Sequence, residues 1–342
     1  MRSKAFTPTV YVAFAIITVV VMAVCIMLGS ASVPLDKLVQ TFFSAAFGWA
    51  RPEGSAYSII MDIRLPRVLS AGLVGGALSL AGCAMQGLLK NPLADGSTLG
   101  VSAGASLGAV LAITFGLSIP FLPLAGTTIG AALFALLSLL TILALAHRLD
   151  RSLSTDTIIL IGIIFGMFVS ALMSILITFA GERAMTIVFW TMGSLQNSSY
   201  QSVLLLTVVT VVFGAVLMSL SRELNAFAIG EDNARHIGVN VRRVKLLVLV
   251  CVSALIGTCV SVGGIIGFVG LVTPHMIRRI TGPNHSLLMP ASIFGGAVFL
   301  MLSDLVARMM FSPRELNIGV ITSIVGAFLF INIFSRTRRV TR

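Results

Sequence analysis

The sequence predicts an all-α, polytopic membrane protein with ten transmembrane helices and both termini cytoplasmic, and three observations carry that prediction. Hydrophobic residues make up 57% of the 342-residue chain and charged ones only 10%, with a mean hydropathy of +1.04. Ordinary soluble domains carry roughly 25% charged residues, and a water-soluble fold cannot hide so much apolar surface. Uncharged windows of 51, 25, 38, 29 and 20 residues begin at Gly96, Thr157, Ala184, Leu246 and Leu316. Each can hold at least one crossing, since about 20 helical residues span the hydrocarbon core. The Lys and Arg residues, finally, fall in short connections and divide unevenly between two sides.

Pro, Gly and charge interrupt the apolar pattern so as to predict helices over 10–30, 68–89, 98–118, 124–146, 157–180, 203–220, 244–262, 265–280, 287–310 and 317–335. The first follows Arg2 and Lys4. Its uncharged stretch, Val10 to Gly29, is longer than the apolar core of a signal peptide, about 7–15 residues, so it reads as an uncleaved helix. Cys25 follows Val24 rather than a small Gly or Ala, which argues against a lipid anchor.

Between the first two spans, residues 31–63 place Leu35, Leu38, Val39, Phe42 and Phe43 at helical spacing, an amphipathic segment on the outer (periplasmic) face. It ends in Arg64-Leu65-Pro66-Arg67. Arg64 and Arg67 break the charge rule by standing outside, where they suit either lipid phosphate or acidic groups of a docking partner. In the spans that follow, Gly100, Gly104 and Gly108, then Gly162 and Gly166, then Gly263 and Gly267 recur at four-residue spacing, as close helix packing requires whatever the bundle does.

The longest cytoplasmic connection, 220–243, contains Ala226 to Val239 and is too apolar for a solvated linker; a short helix pair interrupted by glycine fits it. Glu231 and Arg235 stand at i,i+4, spaced either for a mutual ion pair or for a partner's cleft. The window Leu246 to Pro274 is one helix or two, and charge decides. With ten spans, 16 of the 23 basic residues lie inside; with nine, the arginines of the C-terminal tail emerge outside and the bias vanishes. Asp304 is the clearest intramembrane ionisable group, a position that suggests ion coupling by default. Arg308, one turn on, favours a structural pair.

Several functions are disfavoured. The net charge of +11 sits in loops and reads as topology rather than nucleic-acid binding. Cys25, Cys83, Cys251 and Cys259 lack CxxC spacing and read as small buried hydrophobes. His147, His236, His275 and His285 fall at inner loops or helix ends, so neither a metal site nor a cofactor is indicated. No GxxxxGK[ST] loop occurs, so the chain is not expected to be an enzyme, and ATP hydrolysis would fall to a partner.

The motifs RLPR (64–67), QGLLKNPLADGSTLGVSAGASLGA (86–109), GEDNARHIGV (230–239), GGIIGFVGLVTPHMIRR (263–279), DLVAR (304–308) and ELNIGV (315–320) resemble, in order, the permease family of ABC importers for iron-siderophores, haem and cobalamin. The resemblance implies a single membrane domain over 1–342 in a bacterial inner membrane. It also implies a second permease subunit, identical or related, two cytoplasmic ATPase subunits and an extracytoplasmic substrate-binding protein. It places ATPase coupling on Gly230, Glu231, Ala234, Arg235 and Gly238, binding-protein docking on Arg64, Arg67 and Arg308, and an inner gate on Ser154 and Thr155. Asp156, beside that gate, is a departure from the family pattern and reads as a helix N-cap or as a charge that screens anionic cargo. The rivals are an ion-coupled secondary transporter or channel and a non-transporting scaffold. Among cargoes, iron-siderophore stands ahead of haem and cobalamin only because such importers serve iron uptake so widely.

Overall fold

In the computed structural model, residues 8–31, 33–47, 55–96, 99–117, 125–151 and 154–340 are described, and they form an all-helical bundle. Each of the ten expected helices has a counterpart. They are α1 (Pro8–Met27), α4 (Leu65–Leu88), α5 (Val101–Thr114), α6 (Ala125–Leu149), α7 (Thr155–Phe179), α9 (Tyr200–Ser219), α12 (Val241–Gly263), α13 (Val269–Thr281), α14 (His285–Met309) and α15 (Ile318–Val340). The amphipathic segment expected at the outer face forms α2 (Leu35–Phe47), and the connection expected inside forms α10 (Ser221–Phe227) and α11 (Glu231–His236). Among the described residues, seven helices are long and apolar enough to cross a membrane by themselves, while α5, α13 and the apolar part of α15 are shorter. The chain is a polytopic membrane protein.

Two elements differ from expectation. The second span begins well before residue 68: α3 (Ala56–Ser58) and a π-helical stretch (Ile59–Arg64) run on into α4 as one helix, Ala56–Leu88. Pro66 stops a regular helix because it has no N–H to give. Here the π register solves the problem. Leu65 N–H bonds Ile60 O, five residues back, so the carbonyl left facing Pro66 is that of Met61, and Tyr200 Oη donates to it at 2.7 Å. A short helix, α8 (Ala184–Thr191), also follows α7 across a 3₁₀ turn. Arg183, in that turn, donates to the Ile113 and Thr114 carbonyls at 3.1 and 2.6 Å, satisfying the end of α5.

The Leu246–Pro274 window divides into α12 and α13 at Gly263-Gly264, and Gly264 takes φ +68. Helices α4 and α12 form the most enclosed part of the bundle, with α14 packed along α4; α1, α7 and α9 show broad apolar faces to the outside. The α4–α14 crossing depends on two glycines. A Cβ on Gly75 would overlap the Gly296 carbonyl, and one on Gly296 would overlap that of Gly75.

Candidate functional site

The inner connection is built from short polar bonds around an apolar anchor. Leu224, Phe227 and Ala234 are buried, pinning α10 and α11 to the bundle. Gly230 at φ +116 makes the turn between them, a conformation that a side chain would strain. Asn225 fixes the start of the loop: its Oδ1 accepts the backbone N–H of His285 at 2.8 Å, and its Nδ2 donates to Asn284 Oδ1 at 2.8 Å. Ile229 and Ile237 remain 59% and 63% exposed, an apolar pair flanking α11. The expected helix pair with a glycine between is therefore present.

One acidic group of this loop, Glu231, points inward. Glu231 takes the ammonium of Lys245, on the first turns of α12, at 2.8 Å and accepts the Thr155 hydroxyl at 3.0 Å. Lys245 is 1% exposed, among the most buried side chains of the protein. The i,i+4 ion pair between Glu231 and Arg235 does not form. Arg235 instead meets Asp232 at 3.4 Å, both side chains being largely in solvent, because Glu231 already has a better-desolvated partner. Lys245 is the residue that sequence reading missed: it looked like one more inside positive charge.

The start of α7 faces the same place. Its N-cap is Ser154, whose Oγ accepts from Thr157 N, while Asp150 Oδ2 accepts the Ser154 N–H at 2.9 Å. Asp156 is therefore not the cap. It occupies the exposed first turn, where a negative charge suits the helix dipole. Leu153, beside the gate candidates, lies outside the described residues. Together these elements enclose an open cavity of about 690 Å³ lined by Lys90, Ser154, Thr155, Asp156 and Gly230 to Asn233, with Arg235. Of the coupling candidates, Gly230, Glu231 and Arg235 reach it; Ala234 is packed beneath, and Gly238, at φ +91, has open space around it.

The opposite end of the bundle holds the three arginines that the resemblance assigns to docking. Arg64, Arg67 and Arg308 are 4%, 5% and 3% exposed in the single chain. The Arg64 fork donates to the Ile26 and Met27 carbonyls at 3.0 Å and to Ala31 O. Arg308 reaches Cys25 O at 3.0 Å and Leu28 O at 3.3 Å. Two guanidiniums thus satisfy the carbonyls that end α1, which no intrahelical donor can reach. Asp304 lies between Arg67 and Arg308 at 3.0 Å from each, and Arg67 also holds Glu315 at 2.7 Å. The Asp304–Arg308 pair expected from spacing is present, though its Nε and Oδ2 are aligned as an ion pair and not as a hydrogen bond. Below this cluster, Thr127, Thr128, Ser194, Gln196, Asn197 and Glu315 help line a second cavity of about 480 Å³.

Among the described residues no group of three or more His, Cys, Asp or Glu could hold a metal ion. Compared with known proteins, the chain is 41% identical over 313 residues to the uncharacterized ABC transporter permease protein YvrB of Bacillus subtilis, covering 91% of this chain and 89% of that one. It is 37% identical to the cobalamin import system permease protein BtuC of Halobacterium salinarum, over 84% of this chain and 76% of that one. It is 34% identical to the hemin transport system permease protein HmuU of Yersinia pestis, over 97% of both. A solved structure described as an inward-facing conformation of a metal-chelate type ABC transporter superposes with a TM-score of 0.84 at 31% identity, over 96% of this chain and all of that one. Residues 17–336 match the FecCD transport family, and with relatives of this similarity spanning nearly the whole chain, the protein belongs to that family of ABC-importer permease subunits.

Proposed function

We propose that this chain, paired with a second permease subunit, forms the pathway by which an iron-siderophore, haem or cobalamin crosses a bacterial inner membrane. An extracytoplasmic binding protein delivers the cargo, and two ATPase subunits supply the energy. Ten crossings put both termini and the loop 220–243 on the cytoplasmic side, as the distribution of basic residues supports. Ile229, Ile237 and Arg235 form the exposed contact with the ATPase, Gly230, Glu231, Ala234 and Gly238 shape the loop behind it, and Ser154 and Thr155 form the gate at the start of α7. Cobalamin and haemin are among the cargoes named for the relatives, beside molybdate.

The observation that carries this reading is the shared inner cavity, where the start of α7 and the turn at Gly230 line one wall each. A push on the loop then reaches the gate over one hydrogen bond instead of a long relay. Docking of the binding protein falls to the outer surface around the arginine cluster. Arg64, Arg67 and Arg308 hold that surface in shape, since their donors are already engaged. Ion coupling through Asp304 finds no support in its setting, because the carboxylate is clamped between two arginines.

The test is uptake into proteoliposomes containing the permease and its co-purified ATPase, with a ferric siderophore, haemin and cobalamin offered in turn with the binding protein. ATP-dependent accumulation of one of the three is expected. Accumulation driven by an ion gradient with the ATPase omitted would overturn the proposal.

A further inference from the structure

Lys245 is far more deeply buried than Arg235, the cation at i,i+4 from Glu231. Arg235, on α11, keeps 53% of its side chain exposed, whereas Lys245, on α12, is 2% exposed at its side chain within the packed bundle. Removing an ammonium from water is costly unless a charged partner meets it, and Glu231 does so with both carboxylate oxygens at 2.8 Å. The pair fixes the rotamer of Glu231. With the carboxylate so held, Oε1 faces the Thr155 hydroxyl at 3.0 Å.

Three elements meet at this one carboxylate: α11, which carries it; α12, which holds it by charge; and α7, which donates the hydroxyl. Thr155 is the first residue of α7, so the acceptor lies at the positive end of a helix dipole and gains from that as well. Among the described residues, that turn is also tied to its own approach, Asp150 to Ser154 and Ser154 to Thr157. The Glu231–Thr155 bond thus joins two pieces of chain 76 residues apart.

We propose that Lys245 is the positioning residue that holds Glu231 against Thr155, so that the α10–α11 loop and the first turn of α7 move as one piece. The inference rests on the ATP-coupled reading given above and adds to it the link by which the loop acts on the gate. Lysine suits this place because its flexible four-carbon stem keeps the ion pair while the loop shifts. A hydrogen bond to an ionised group is stronger than a neutral one, and losing such a bond weakens coupling between two segments by about ten-fold.

The experiment is hydrogen–deuterium exchange on the assembled permease–ATPase complex in lipid nanodiscs, without nucleotide and after trapping with ATP and orthovanadate. In the wild-type complex, amides over residues 231–237 and over the first turns of α7, residues 155–161, both change their exchange on trapping. In Thr155→Val and Lys245→Met, the change over 155–161 falls by about ten-fold while 231–237 still respond, and Thr155→Ser restores it.

A wild-type response at 155–161 in Thr155→Val, or failure of Thr155→Ser to restore it, overturns the link. A loss in Thr155→Val with none in Lys245→Met overturns the role given to Lys245. Should Lys245→Met not assemble, Glu231→Gln replaces it: this variant keeps a carbonyl acceptor for Thr155 while removing the charge that pins it, and a wild-type response there counts against Lys245. Absence of any nucleotide response at 231–237 in the wild-type complex instead counts against ATP coupling itself.

Discussion

Asp304 and Asp232 both pair with arginine, and their surroundings decide what each pair contributes. Asp304 is 1% exposed between Arg67 and Arg308, so its removal leaves the Arg308 guanidinium buried without a counter-charge and Arg67 with Glu315 alone, a loss of about 3–5 kcal/mol. Asp304→Asn is expected to lower the thermal midpoint of the detergent-purified protein by about 4–7 °C, measured by intrinsic fluorescence. Asp232, 86% exposed beside Arg235, is screened by water, and Asp232→Asn should leave the midpoint within about 1 °C. Equal shifts in the two variants would contradict this account. The i,i+4 pairing of Asp304 with Arg308 was legible in the sequence because one helix sets it. Arg67 and Glu315 come from distant segments, and no local spacing announces their meeting. For the same reason the inner arrangement was half legible: the turn at Gly230 could be read from composition, while the choice of Lys245 over Arg235 as partner of Glu231 depended on burial.

Among elements, the apolar helices followed directly from hydrophobic length, and their ends mostly fell within a few residues of the expected positions. The exception is the second span, expected from residue 68, which runs back through Pro66 to Ala56. The π stretch and the Tyr200 hydroxyl let the helix continue through the proline, and that remedy comes from a helix more than a hundred residues away. Small-residue spacing was a partial guide to packing. Gly104 and Gly108 do lie against α6, near Ser138 and Gly130, but Gly166 and Gly267 have nothing within 4 Å of a would-be Cβ. The closest approach of α4 and α14, at Gly75 and Gly296, lay outside the glycine series singled out in the sequence. Gly75→Leu must push α14 away from α4, and little folded protein is expected from membrane extraction on size-exclusion chromatography. Gly267→Ala should elute as wild type, with stability changed by less than about 0.5 kcal/mol. Normal recovery of Gly75→Leu would show that the crossing is looser than its backbone contact implies.

For the whole molecule, ten crossings require opposite faces for the turn after α7 and for the α10–α11 loop. All four native cysteines are buried, so a membrane-impermeant maleimide meets little background on the intact chain. A cysteine introduced by Glu182→Cys should be labelled from outside in intact cells, whereas Asp232→Cys should react only in inverted vesicles. Labelling of both from the same side would rule out the topology. The count of basic residues carried this inference because charge bias is additive over the chain and needs no knowledge of packing.

The interruption between α12 and α13 bears on tightness. Gly264 and Phe268 both adopt positive φ, at +68° and +67°, so five residues at the level of the bundle lack continuous helical bonding. Amides in such a stretch must find partners in protein or water, since lipid offers none. Ser194 N–H takes the Gly263 carbonyl at 2.8 Å, and the stretch borders two small recesses of about 20 and 60 Å³ besides the cavity of about 480 Å³ that Gly264 also lines. The two recesses hold a few waters at most, enough to hydrate stray carbonyls but too few to carry a continuous column onward from the larger cavity. A break that eases hydration therefore need not open a proton leak. Acidification of proteoliposomes carrying the permease alone under an imposed pH gradient should be no faster than that of empty ones.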